Sequence, residues 1–327
     1  MPNPDPRICL VIVFNHKFER NLPVLRELYR SRFSEIRFVM PFYRGGDRDV
    51  IGVYESSAQF QGYLVQAARH LPREGITHYV MIGDDLLLNP AFDESNLCQS
   101  LGLDDRTGFI KSLIPLSELS LNWPHLNKAR ESVYGSVFVN HANELPSAEE
   151  AARLIQRHGI VVGDITIRNL RGWGGKVPPP RYEPVSWHLY PGFWSWAHRL
   201  FQWRGRIRLA YPLLMTYSDF LIVPAVAMDD FLHYCGVFAA LRTFVETAIP
   251  TSLAMACDRV RVEADTPYRG GEYWTPEEGK AIEQRYGLDL KQLLDNFPPE
   301  LIHLHPIKLT RWNADRLREG RTSLVVT

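Results

Sequence analysis

Absent from this chain is any uninterrupted apolar run near the roughly 20 residues that a membrane-crossing helix needs. Cysteine is scarce: Cys9, Cys98, Cys235 and Cys257 are its four thiols, far apart and with no CxxC pair. That spacing argues against a disulfide frame and a cysteine zinc site, and it reads as reduced thiols in or near a core. Charge of one sign is not in excess, because 37 Lys and Arg face 37 Asp and Glu. A nucleic-acid coat needs a basic surplus, so nucleic acid is not an expected partner. Internal repeats and low-complexity tracts are missing too. The opening Met1-Pro2-Asn3-Pro4-Asp5-Pro6 has no basic start leading into an apolar stretch and does not read as a signal peptide. The expected compartment is the cytoplasm, with the inner face of a membrane as a place of peripheral contact.

What is present suits a large α/β core. The chain has 327 residues, 45% of them hydrophobic. Ile8 to Phe14 is continuously apolar and β-branched, the pattern of a strand buried on both faces. Asn21 to Arg32 and Gln59 to Leu71 carry apolar residues at helical spacing, while Ile36 to Pro41 and His78 to Ile82 read as strands. This alternation predicts an open, doubly wound, mostly parallel sheet, whose ligands bind beyond the carboxyl ends of the strands. Farther on, Phe109 to Leu113, Ser136 to Val139 and Phe220 to Pro224 read as strands, and Met228 to Thr247 as a helix pair. Ser147 with Glu150, and Thr275-Pro276 with Glu278, mark helix starts. Gly172 to Pro180 reads as a loop or linker. The aromatic and arginine-rich segment from Trp187 to Arg208 reads first as a core helix with a basic face, and otherwise as a sugar- or membrane-facing surface. Three stretches follow: residues 1–110 as a nucleotide-binding half, 111–215 as an irregular acceptor-side insertion, and 216–327 as an acceptor-binding half completing the same domain.

The chemistry concentrates at Gly83-Asp84-Asp85, directly after the third strand. Two adjacent buried carboxylates need a compensating cation. A hard divalent metal serves, taking oxygen ligands and holding a phosphate on its open side. This pattern resembles the GT-A class of glycosyltransferases, whose DxD motif holds Mn2+ or Mg2+ against the diphosphate of a nucleotide sugar. Here the first acidic position is glycine, giving the looser xDD form. The resemblance implies a GT-A-like, Rossmann-like fold and places Asp85 on the metal, with Asp84 at the ribose or a metal-bound water. In such enzymes a late histidine returns to the metal and a lysine meets the diphosphate. His303-Leu304-His305-Pro306-Ile307-Lys308 offers both, with His305 the preferred ligand and Lys308 the diphosphate contact.

Other positions follow from the same frame. Asn15 and His16 after the first strand, and Tyr43 and Arg44 after the second, are candidates for the base, sugar and phosphate of a nucleotide. Glu246, a lone acid in an apolar helix, is a candidate base; burial would raise its pKa and suit it to proton transfer. The competing reading pairs it with Arg242 or with an arginine elsewhere. Asp230, with Asp229, is a second candidate base or a helix N-terminus, and Asp219 a candidate for acceptor hydroxyls or a turn. The expected activity is transfer of a sugar from a nucleotide-diphosphate donor, a UDP-sugar first, to a glycan or lipid-linked glycan acceptor, in the context of bacterial surface polysaccharide. The alternatives are a sugar-nucleotide nucleotidyltransferase and a non-catalytic binding module on a degenerate transferase fold. A polymerase, which also uses Gly-Asp-Asp, ranks lower, because Pro90 spoils a hairpin after the motif.

Overall fold

The computed structural model describes residues 7–118, 141, 143–163 and 211–317. The expected strand at Ser136 to Val139, the loop at Gly172 to Pro180 and the segment from Trp187 to Arg208 lie outside them. In chain order the elements begin with β1 (Ile8–Val13), α1 (Leu22–Tyr29), β2 (Glu35–Pro41), β3 (Val50–Val53), α2 (Phe60–Ala67), β4 (His78–Gly83), β5 (Leu87–Leu88), α3 (Leu97–Ser100), β6 (Thr107–Ile110) and β7 (Ile114–Pro115). They continue with α4 (Ala148–Gln156), β8 (Leu214–Met215), β9 (Phe220–Pro224), α5 (Met228–Ala240), α6 (Val245–Ala256), β10 (Arg259–Val262), β11 (Arg269–Glu272), α7 (Pro276–Tyr286), α8 (Leu290–Asp295) and β12 (Leu301–His305).

Seven strands form one mixed sheet in the order β10-β6-β9-β4-β1-β2-β3. β1 is parallel to β2 and β4, β2 to β3, and β10 to β6. The frame is therefore α/β with a mostly parallel sheet flanked by helices, compatible with a Rossmann-like fold. β9 departs from the all-parallel expectation: it runs antiparallel between β4 and β6. Its neighbours thus end where it begins, and Gly83 N donates to the carbonyl of Asp219 at 3.0 Å. β12 joins β11 in parallel and β5 antiparallel in a second, three-stranded sheet.

β1 shows why its sequence is apolar throughout. Ile8, Leu10 and Ile12 pack into the layer that includes α1, α8 and β12; Cys9, Val11 and Val13 pack into the opposite layer with α2, α5 and α6. Side chains alternate with period two, so only a strand covered on both faces buries all six. The four cysteines are free and buried, and burial pushes each thiol up to about 12. Ser147 caps α4 by accepting from Glu150 N, and Thr275 with Glu278 closes a reciprocal capping box on α7. Among the described residues no helix is long and apolar enough to cross a membrane.

Candidate functional site

β4 delivers the acidic pair to the carboxyl edge of the sheet and into a buried setting; Asp84 is 3% and Asp85 6% exposed. The two carboxylates do different things. Asp84 Oδ1 accepts from Asn15 N at 3.2 Å and its Oδ2 from Asn21 Nδ2 at 3.1 Å. It fastens the loop after β1 to the end of β4. Burial, then the charge of Asp85, pushes its carboxyl up to about 6. Both of its oxygens accept from the chain's own donors, which gives Asp84 a positioning place in the fold.

Asp85 turns the other way, into a group of charged side chains. His305 Nε2 lies 3.3 Å from its Oδ1, and the Lys308 ammonium pairs with its Oδ2. Burial opposes the Asp85 charge, but His305 and Lys308 outweigh it and hold the carboxyl at about 2. His305 Nε2 also lies 3.9 Å from Asp219 Oδ1. Burial disfavours a charged imidazole, yet Asp85 and Asp219 raise its pKa above the ordinary histidine value. The tail is tied down by its backbone, with Ile307 N donating to the Asp85 carbonyl at 2.6 Å. A Cβ at Gly83 would stand 3.3 Å from Asp85 Oδ1. Glycine at this position leaves the space that the Asp85 carboxylate uses.

Glu246 sits in the first turn of α6, at the border of this group. Its carbonyl accepts from Thr216 N at 3.0 Å, which holds it beside the entry to β9. Arg242, the partner named in the competing reading, pairs with Glu55 at 2.7 Å. Burial, then Asp219, raises Glu246 to about 8. Asp219 is itself pushed up, by burial first. Asp230 does not belong to this site. Because β9 is antiparallel, α5 starts at the opposite edge of the sheet, and Asp230 is exposed there beside Asp229, which pairs with Arg73 at 2.5 Å.

Beside Asp84 lies a cleft of about 480 Å³ at the ends of β1, β2 and β3, lined by Asn15, His16, Phe42, Tyr54 and Glu55 among others. Asn15 and His16 stand where the sequence suggested. Tyr43 does not. It is 8% exposed, its hydroxyl accepts from Asp47 N at 3.2 Å, and the 44–47 loop folds over its ring. The available rings are those of Phe42 and Tyr54, 54% and 59% exposed, with centroids 5.9 Å apart. Phe42 holds a φ of 58°, a left-handed backbone that a bulky residue adopts only under strain. Sequence reasoning missed both, because nothing in their spacing separates an exposed aromatic from a core one. It also missed Asn21, Lys111, Tyr217, Glu272 and Trp274, which only the chain's long-range contacts bring here.

Among the described residues no three His, Cys, Asp or Glu side chains make a ready cation cage. One observation favours a cation all the same: Asp85 Oδ1 is buried and, with His305 Nε2 3.3 Å away, accepts no well-aligned hydrogen bond from the described residues. Magnesium-type ions commonly take one or two carboxylates and complete their shell with water and substrate phosphates. Asp85 offers one such carboxylate, with His305 Nε2 3.3 Å from it and Asp219 Oδ1 3.9 Å from the same nitrogen. No protein-family model matches this chain, and a search of curated proteins returns no match.

Proposed function

We propose that this protein is a glycosyltransferase of the GT-A type, moving a sugar from a nucleotide diphosphate, UDP first, to an acceptor hydroxyl. The observation that carries the reading is Asp85, whose unbonded buried oxygen faces His305 beside Lys308, at the carboxyl edge of a Rossmann-like sheet and next to an aromatic cleft. The nucleobase and ribose occupy the cleft, between Phe42 and Tyr54 and within reach of Asn15 and His16. The diphosphate lies toward Asp85, where Lys308 moves from the carboxylate to a phosphate oxygen. Asp85 and His305, with Asp219 at their side, hold Mn2+ or Mg2+. That ion, when bound, neutralises the charge that builds on the departing diphosphate. Glu246, raised to about 8 and beside Asp219, takes the proton of the acceptor hydroxyl.

One observation favours a second reading, a nucleotide-binding module without metal: the Lys308 ammonium already neutralises Asp85. Calorimetry with UDP separates the two. The transferase reading expects binding with Mn2+ and none after chelation, and donor turnover with a mixed glycan acceptor. Metal-independent UDP binding without turnover supports the module, and no binding of any nucleoside diphosphate overturns both.

A further inference from the structure

Five large aromatic rings stay exposed among the described residues: Phe18, Phe42, Tyr54, Tyr217 and Trp274. All five leave the same edge of the fold, on the segments after β1, β2 and β3, before β9 and after β11. Burying such side chains is favourable, so an exposed group gathered at one edge marks a surface kept for contact. Phe42 and Tyr54 line the cleft. Tyr217 and Trp274 stand on the other side of Asp85, and the nucleotide reading leaves them without a task.

These two rings stack on each other, with centroids 4.7 Å apart and planes 24° apart, and are 36% and 51% exposed. Their position is built from several elements. Thr216 N, one residue before Tyr217, is bonded to the Glu246 carbonyl. Lys111, after β6, places its ammonium 5.0 Å from the Tyr217 ring centre and pairs with Glu272 at 2.7 Å. Trp274 follows Glu272 by two residues; its amide donates to Glu278 Oε2 at 2.9 Å, and its ring lies edge to face with His305 at 5.4 Å. An open aromatic platform is thus fixed between the imidazole beside Asp85 and the start of α6 that carries Glu246.

We infer that Tyr217 and Trp274 form the acceptor subsite and that the acceptor is a pyranose, its apolar ring face laid on the indole and a hydroxyl turned to Glu246. Sugar rings present C–H faces that pack on aromatic planes, while their hydroxyls need polar partners. Here Glu246, Asp219, Glu272 and Lys111 are those partners, so the platform supplies area and the rim supplies orientation. A lipid surface suits it less, because the rings are bordered by three carboxylates. This inference rests on the transferase reading, but it is separable from it.

The test labels the protein with 5-fluorotryptophan and assigns Trp274 by its loss in W274F. Methyl β-D-glucopyranoside, methyl β-D-galactopyranoside, methyl α-D-mannopyranoside and N-acetylglucosamine are titrated with UDP and Mn2+ present, with glycerol as control. The expected result is a Trp274 shift that saturates at about 1–100 mM for at least one pyranoside and not for glycerol. W274A should weaken that pyranoside at least tenfold, a far larger factor than any change in the UDP affinity. A Trp274 resonance that no pyranoside moves, or that glycerol moves equally, overturns the inference. UDP binding persisting in that case leaves the nucleotide reading standing, whereas loss of UDP binding in the wild type strikes at the transferase reading itself.

Discussion

His305 Nε2 stands 3.3 Å from Asp85 Oδ1, yet that oxygen, buried, accepts no well-aligned hydrogen bond from the described residues. The two residues are 220 positions apart and meet because β12 runs beside β5, which begins two residues after Asp85. A close approach of imidazole and carboxylate that stops short of an aligned hydrogen bond leaves a direction open on the carboxylate. The chemistry proposed for this protein starts from that open direction.

Removing the Asp85 charge should remove the metal-dependent part of nucleotide binding. D85N is expected to weaken UDP at fixed Mn2+ by at least about 100-fold, or about 2.7 kcal/mol. Calorimetry checks it; unchanged affinity in D85N would show that the carboxylate holds nothing.

The proposed metal would have to compete with Lys308 for Asp85 in the absence of nucleotide. K308M should bind Mn2+ more tightly than the wild type when no diphosphate is present, read by electron paramagnetic resonance. With pyrophosphate added, the order should reverse, because the ammonium no longer meets the phosphate. Equal Mn2+ affinity in both proteins would refute the competition.

The Glu246 carboxyl, raised to about 8, carries a sign. A raised carboxyl favours the folded state below its unfolded pKa, and that advantage is lost as pH rises through the folded value. In metal-free protein, E246Q should therefore gain stability relative to the wild type between about pH 5 and 8, seen as a smaller fall in Tm. Transfer should drop about 10²- to 10⁴-fold in E246Q with UDP binding retained. Parallel Tm curves across that range would mean that Glu246 does not hold a proton in the folded protein.

Asp84 should behave as a fastener. D84A strands the donors Asn15 N and Asn21 Nδ2 in a buried place, and a hydrogen bond to a charged group is worth about 1.5–3 kcal/mol, so a loss of about 3 kcal/mol is expected. D84N should lose less, because the Asn21 amide can turn over to offer its oxygen. Denaturant titration of the two variants gives the comparison; D84A as stable as the wild type would contradict the role.

Phe42 combines a strained backbone with an exposed ring. F42G should relieve strain, which is worth on the order of 1–3 kcal/mol. It should also weaken UDP by the worth of a stacked base, about 1–3 kcal/mol. A variant more stable and equally tight for UDP would show that the ring serves something other than the base.

The strands, helices and acidic pair were legible in the sequence because each rests on local chemistry. An apolar run such as Ile8 to Val13 can be satisfied only by burial on both faces, and Thr275 with Glu278 caps a helix by reach alone. Asp84 and Asp85 announce themselves because two buried charges demand an answer. What answers them was open to the fold. The reversed β9 brings Asp219 to the site and sends Asp230 away; the loop over Tyr43 buries one ring while Phe42 is held out; and the meeting of β5 with β12 sets His305 and Lys308 on Asp85. Local residues dictate which groups must be buried or bent. Contacts between segments hundreds of residues apart decide which of them face one another, because strand direction and sheet order depend on the whole chain's packing.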